Sequence, residues 1–131
     1  MKYLPFLHIL CMATALILVL SAVYVSHGRK AGWFILHRRL ALIGVLSALI
    51  AFTSEFTFKA LMHYQHFGSP HSIAGVVTLM LLVGTAFLGL RIPSDPKMLR
   101  KTHRVLGRIT AVAIVLTALM GIARFVQLSR N

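Results

Sequence analysis

Residues 71–90 read HSIAGVVTLMLLVGTAFLGL, a run of twenty residues that contains no Asp, Glu, Lys or Arg. A helix of about 20 apolar residues is long enough to cross the hydrocarbon core of a bilayer, which is about 30 Å thick. Three other apolar stretches have at least this length. The sequence therefore predicts four transmembrane helices, at residues 4–25, 33–62, 71–90 and 102–128.

The composition supports a membrane protein rather than a water-soluble one. Of the 131 residues 58% are hydrophobic, and Glu55 and Asp95 are the only acidic side chains, which leaves too little polar surface to cover a soluble globule. Connections of about ten residues make consecutive helices antiparallel neighbours. We therefore expect an all-α integral membrane protein, an up-down four-helix transmembrane bundle, with residues 1–131 forming one domain. The first stretch has no convincing small-residue cleavage site, so we interpret it as a structural helix rather than a secretory signal.

The formal charge of +12 arises from basic residues that are distributed by topology and not gathered into a nucleic-acid-binding surface. Ten of the fourteen lie in the connections on one side of the bundle, and the positive-inside rule makes that side cytoplasmic. Both termini are then expected on the outer face. The ten are Arg29, Lys30, Arg38, Arg39, Arg91, Lys97, Arg100, Lys101, Arg104 and Arg108, and the other four are Lys2, Lys59, Arg124 and Arg130.

Four of the seven histidines lie near the N-terminal ends of the predicted helices, one in each: His8, His37, His71 and His103. Ionisable side chains inside membrane spans are functional candidates. Because the helices alternate in direction, His8 and His71 are expected toward the outer face, and His37 and His103 toward the cytoplasmic face. Each pair comes from alternate helices, which are diagonal partners across an up-down bundle.

Two histidines that face each other across a bundle core can bind the two axial positions of a haem iron. Gly75 and Gly107 each follow a histidine by four residues, on the same helix face, where a flat macrocycle could lie against the backbone. No Cys-x-x-Cys-His motif is present, so we expect non-covalent haem b. The alternative is a cofactor-free membrane scaffold whose histidines and glycines serve helix packing.

The segments LHILCM around His8, SPHSIAG around His71 and KTHRVLG around His103 resemble the histidine motifs of the ascorbate-type cytochromes b561. The family fold has six helices, and this chain is similar to the central four, over nearly its whole length. The resemblance implies two haem b groups per chain. It assigns His8 and His71 to the outer haem iron, and His37 and His103 to the cytoplasmic haem iron, which is the pairing that the topology predicts independently.

The sequence also differs from the family's motifs at several positions. Ile73 replaces the family's tryptophan, Pro70 replaces the leucine before His71, and the two flanking helices are missing. These departures weaken the inference that ascorbate is the donor more than they weaken the inference that the chain binds haem. The chain is similar to a bacterial relative, and we expect it in the inner membrane with both termini in the periplasm. Such a protein would transfer electrons from ascorbate or quinol to an acceptor that the sequence does not identify. A quinol-linked oxidoreductase subunit is an alternative, and a homodimer is compatible with the prediction.

Several residues near the predicted sites have more than one interpretation. Arginine pairs with carboxylates in bidentate geometry, so cofactor carboxylates could bind the cytoplasmic arginines, although these could equally contact lipid phosphate. His63 and His66 are interpreted as loop or substrate-contact residues, and His27 as an interface residue or an alternative ligand to His37. Glu55 could form a local ion pair with Lys59 or handle protons. The cytoplasmic arginine candidates are Arg38, Arg39, Arg104 and Arg108, and the candidates for the same role on the outer side are Lys59 and Arg124.

Overall fold

The computed structural model describes residues 3–28, 30–91 and 96–130. Lys2, Arg29 and Asp95, which enter the charge and composition arguments, lie outside these ranges. The described chain forms four helices, α1 (Leu4–Gly28), α2 (Trp33–Leu61), α3 (Pro70–Arg91) and α4 (Pro96–Ser129). All four are long and apolar enough to cross a membrane. The predicted all-α four-helix bundle is therefore confirmed.

The start of α4 differs from the sequence prediction, since the helix begins at Pro96 and not at residue 102. Proline suits the first position of a helix, because its missing N–H would have no intrahelical partner there. The first turns of α4 are rich in lysine and arginine, so an apolar pattern does not reveal them. As a result His103 lies about two turns inside its helix rather than at the helix end.

The start of α3 is defined by a reciprocal pair of serine hydrogen bonds. The backbone N–H of Ser72 donates to Ser69 Oγ at 3.3 Å, and the backbone N–H of Ser69 donates to Ser72 Oγ at 3.2 Å. This is the arrangement of a capping box, with serine in the place of the usual Glu or Gln. The cap and Pro70 together place His71 in the first turn of α3.

The helices pack as two pairs, α1 against α2 and α3 against α4, and the pairs meet along α1 with α4 and along α2 with α3. Within the described residues the backbones of α1 and α3 do not approach each other, and neither do those of α2 and α4. These two combinations are therefore the diagonals of the bundle. Side chains on diagonal helices can reach each other only across the core.

Most of the buried side chains in the centre of the bundle are small, and many large apolar side chains cover its outside. Ala15 and Ala51 are fully buried, and Gly44 lies where an added Cβ would stand 3.0 Å from Val19 Cγ2. Exposed large residues include Leu10, Ile17 and Met80. Helices in lipid associate through close backbone approach rather than by burying large apolar groups, so this distribution is typical of a membrane-embedded bundle.

One pattern occurs in both α3 and α4: a histidine followed after four residues by glycine, after seven and fourteen by threonine, and after eighteen by glycine. The positions are His71, Gly75, Thr78, Thr85 and Gly89 in α3, and His103, Gly107, Thr110, Thr117 and Gly121 in α4. The two helices are antiparallel, so the pattern is an inverted repeat of the kind found in several membrane folds. The histidines, the threonines and the second glycine of the pattern make equivalent contacts in the two helices.

Candidate functional site

The structure brings His8 and His71 together across the diagonal between α1 and α3, and we name them the first histidine pair. Their ring centroids are 6.4 Å apart and their planes are nearly perpendicular, at 87°. Both side chains are half-buried. His37 and His103, on α2 and α4, form the second histidine pair, with ring centroids 6.1 Å apart and planes at 90°.

These separations are those expected for two imidazoles that bind one metal ion from opposite sides. An imidazole nitrogen binds a metal ion at about 2 Å and lies roughly 1 Å from its ring centre, so the two centroids would be about 6 Å apart. In the part of the chain that the structure describes, no group of three or more His, Cys, Asp or Glu side chains could hold a metal. Two imidazoles that face each other at this separation fit the two axial positions of a metal held by a macrocycle, as in haem.

Each paired histidine is held by a backbone carbonyl of the neighbouring helix. Nδ1 of His8 lies 3.0 Å from Ala51 O, and Nδ1 of His37 lies 2.9 Å from Ala22 O. A carbonyl oxygen can only accept, so Nδ1 carries the hydrogen and donates it, which leaves Nε2 with the free lone pair. Metal-binding histidines commonly have this arrangement, in which the outer hydrogen bond fixes the ring orientation.

The histidines of α3 and α4 are held in the same way, through the inverted repeat. His71 Nδ1 donates to Thr117 O at 3.1 Å, and His103 Nδ1 donates to Thr85 O at 3.0 Å. In all four helices the acceptor is the residue fourteen positions after the histidine of the neighbouring helix. The four imidazoles therefore share one geometry, which a coincidental set of core histidines would not be expected to have.

Two glycines make room for the imidazoles of α3 and α4. A Cβ added at Gly121 would stand 2.9 Å from Cε1 of His71, and a Cβ added at Gly89 would stand 2.9 Å from Cε1 of His103. The sequence analysis did not identify these glycines. The signal that could have found them is the repeat itself, because both follow a histidine of the pattern by eighteen residues.

The glycines that the sequence did predict have different surroundings. A Cβ at Gly75 would meet no atom within 4 Å, and Gly75 lines the cavity beside the first histidine pair. Gly107 instead lies against α3, where an added Cβ would be 3.7 Å from Thr85 Cγ2. Open space suitable for a flat ring is therefore present at Gly75, whereas Gly107 contributes to the packing of α4 on α3.

Four threonines form two hydrogen bonds between α3 and α4, in the region between the two histidine pairs. Thr78 Oγ1 and Thr117 Oγ1 are 2.8 Å apart, and Thr85 Oγ1 and Thr110 Oγ1 are 2.9 Å apart. Thr117 and Thr85 are also the residues whose carbonyls accept from the paired histidines. The sequence analysis missed this ladder, which the repeated threonine positions could have indicated.

A cavity of about 90 Å³ lies beside the first histidine pair and is partly open to the outside. Its walls are mostly apolar, and its polar residues include Glu55, Lys59 and His66. Lys59 Nζ lies 3.5 Å from Glu55 Oε1, so these two side chains form a local ion pair. A macrocycle with an apolar body and an acidic edge fits this distribution of groups.

The remaining histidines do not join either pair. His27 is exposed at the end of α1 and its Nδ1 donates to Val23 O of its own helix at 2.9 Å. His63 is exposed in the connection that follows α2. His66 is half-buried, lies between α2 and α3, and lines the cavity near the first pair. The structure therefore offers no support for His27 as an alternative to His37.

The four arginine candidates are exposed, and they lie on the same two helices as the second histidine pair. Arg38 and Arg104 directly follow the paired histidines in the sequence. The only ion pair among the described residues is that of Lys59 with Glu55. Arg38, Arg39, Arg104 and Arg108 are consequently available to anionic groups at that end of the bundle.

These features define a class of protein: a membrane-spanning four-helix bundle with a facing pair of imidazoles at each of two levels. The family model described as eukaryotic cytochrome b561 matches residues 5–128, which is nearly the whole chain. The chain belongs to the cytochrome b561 family. Searches of curated proteins and of solved structures gave no match. The protein is accordingly an integral membrane cytochrome that binds haem b and takes part in transmembrane electron transfer.

Proposed function

We propose that the protein transfers electrons across its membrane by means of two haem b groups, one held by each histidine pair. The observation that carries this proposal is the pair of centroid separations, 6.4 and 6.1 Å, at two separate levels of the bundle. Membership in a haem-binding family argues against a cofactor-free scaffold. The stoichiometry of two rests on the equivalence of the two pairs under the inverted repeat.

The chain's own residues position the ligands and limit the access of water. Each Nδ1–H···O=C hydrogen bond orients an imidazole and leaves the lone pair of its Nε2 free for a metal ion. Gly121 and Gly89 allow two of the rings to lie directly against the neighbouring helix. Apolar side chains such as Leu82 and Ile114 line the cavity near the first pair. When bound, each haem supplies an iron that accepts and releases one electron.

The separation of the two pairs suits transfer between the two faces of a bilayer. In α3, fourteen residues separate His71 from Thr85, whose carbonyl holds His103, and eighteen separate it from Gly89. At a rise of 1.5 Å per residue, the two levels are about 21–27 Å apart along the helix axis. Within a hydrocarbon core of about 30 Å, one pair would lie near each face.

The distribution of charge supports one orientation in the membrane. By the positive-inside rule, the basic connections favour the cytoplasmic side for the second pair and the outer side for both termini, which is the periplasm if the membrane is a bacterial inner membrane. The donor is ascorbate or a quinol, and a quinol would reach the protein from lipid. The acceptor is a second redox partner, and the bundle is compatible with a homodimer as well as a monomer.

The exposed arginines would bind carboxylates of the haem near the second pair. Arginine presents a rigid fork of donors that matches a carboxylate. Their other natural partners are lipid phosphates at the cytoplasmic surface. The four are Arg38, Arg39, Arg104 and Arg108, of which Arg38 and Arg104 adjoin the paired histidines.

The experiment that tests the proposed function is a pyridine haemochrome assay on the purified protein. Protein from membranes of cells with adequate haem supply should contain close to two non-covalent haem b groups per chain, and its reduced spectrum should be that of low-spin iron. A protein that purifies in folded form without haem would refute the proposal. A content of one haem per chain, bound by only one of the two histidine pairs, would refute the proposed stoichiometry of two.

A further inference from the structure

His66, in the connection between α2 and α3, has a buried ring nitrogen without a partner. Its Nδ1 is inaccessible to solvent and forms no hydrogen bond with any described residue. Buried polar atoms in folded proteins nearly always have a hydrogen-bond partner, and an exception calls for an explanation. The ring is not loosely placed, because it stacks on Phe56 with centroids 4.1 Å apart and planes at 18°.

The backbone of His66 is also held, which fixes the position of the unpartnered nitrogen. Lys59 Nζ donates to the backbone carbonyl of His66 at 3.4 Å, and the same ammonium group pairs with Glu55. His66 and Lys59 both line the cavity that contains the first histidine pair. His66 and Lys59 therefore lie together at one polar region in the wall of a mostly apolar cavity.

These groups suit a carboxylate. A haem presents an apolar macrocycle with two carboxylates at one edge, and the cavity has apolar walls with an imidazole and a cation together. On the basis of the function proposed above, we propose that His66 Nδ1–H donates a hydrogen bond to a carboxylate of the haem held by the first pair, beside the positive charge of Lys59. His66 is then a residue that anchors and orients the cofactor and is not an iron ligand.

The test compares haem with haem dimethyl ester, in which both carboxylates are blocked. The full-length protein carries His37→Ala, so that only the first histidine pair can bind, and the haem-free form is titrated with each compound while Soret absorbance is followed. Charge-assisted hydrogen bonds are strong. With His66 present, haem should bind roughly tenfold more tightly than the ester, in line with the strength of hydrogen bonds to charged groups.

Three variants separate the hydrogen bond from the packing of the ring. His66→Phe keeps a flat ring over Phe56 and removes the nitrogen, and the preference for haem over the ester should largely disappear. His66→Asn places an amide N–H near the position of Nδ1 and should retain much of the preference. His63→Ala, at an exposed histidine of the same connection, is the matched control and should leave the ratio unchanged.

The outcomes distinguish this inference from the proposed function. An unchanged ratio in His66→Phe would overturn the role of His66 while leaving haem binding by the first pair intact. Failure of both compounds to bind the parent protein would refute the proposed function itself. If haem and the ester bind equally well, but added acetate or succinate alters the Soret band only when His66 is present, the carboxylate is an external acid and the inference is wrong.

Discussion

Replacing Gly121 by alanine should disable the first histidine pair and spare the second. The added Cβ would lie 2.9 Å from His71 Cε1, whereas non-bonded carbon atoms pack at about 3.5–4.0 Å. The ring would have to move by roughly 0.6–1 Å to remove this overlap. Functional groups must be held within about 0.5 Å of their working geometry, so this displacement is enough to impair a ligand.

The imidazole cannot move freely, because its Nδ1 is bonded to the carbonyl of Thr117 on the same helix as Gly121. The substitution itself favours the helix, since alanine is better than glycine in a helix interior by about 1 kcal/mol. Loss of the site should therefore occur in a folded protein. We expect the haem content to fall from about two toward one per chain, with a loss of one low-spin signal, if each pair binds one haem.

The inverted repeat provides a mirror variant and a control for this experiment. Gly89→Ala should affect the second pair and spare the first, because its Cβ would lie 2.9 Å from His103 Cε1. Gly84→Ala, where an added Cβ meets no atom within 4 Å, should retain both haems. Haemochrome assays and electron paramagnetic resonance of the purified variants measure the outcome. Two unaltered low-spin signals in Gly121→Ala, or equal loss of both, would refute the placement of His71 against α4.

Three further predictions concern the pairing of the histidines, the topology of the chain and the threonines between α3 and α4. Within one pair, replacing either histidine by alanine should abolish the same low-spin haem, and variants of the two pairs should show different defects in redox titration. If the two variants of one pair lose different haems, the pairing is wrong. Reporter fusions after Asn131 should report an outer location and fusions within residues 91–100 a cytoplasmic one, and a cytoplasmic C-terminus would reverse the side assigned to each pair. Thr117→Val removes the buried hydroxyl bonded to Thr78 at 2.8 Å and should lower stability by about 1 kcal/mol in thermal unfolding of the detergent-solubilised protein, whereas an exposed Thr14→Val should have little effect.

The amino-acid sequence by itself determined the four helices and the residues that could form two sites. Apolar runs long enough to cross a bilayer specify the spans, since backbone groups in lipid must be satisfied within the helix. One histidine per helix, combined with alternating helix direction, predicts two levels and the diagonal combinations His8 with His71 and His37 with His103. The sequence did not predict the first turns of α4, because they are rich in lysine and arginine and extend beyond the apolar region from which the helix was predicted.

Only the tertiary structure decided which groups support the histidines. The carbonyls of Ala51 and Thr117 reach His8 and His71 across more than forty residues of sequence, and their choice depends on the register in which antiparallel helices pack. A carbonyl has no sequence signature, because every residue carries one. Gly121 beside His71 and the unpartnered nitrogen of His66 likewise become meaningful only when packing brings neighbouring helices and the connection around one cavity. Such contacts depend on how the side chains of different helices fit together, which the pattern within a single helix does not specify.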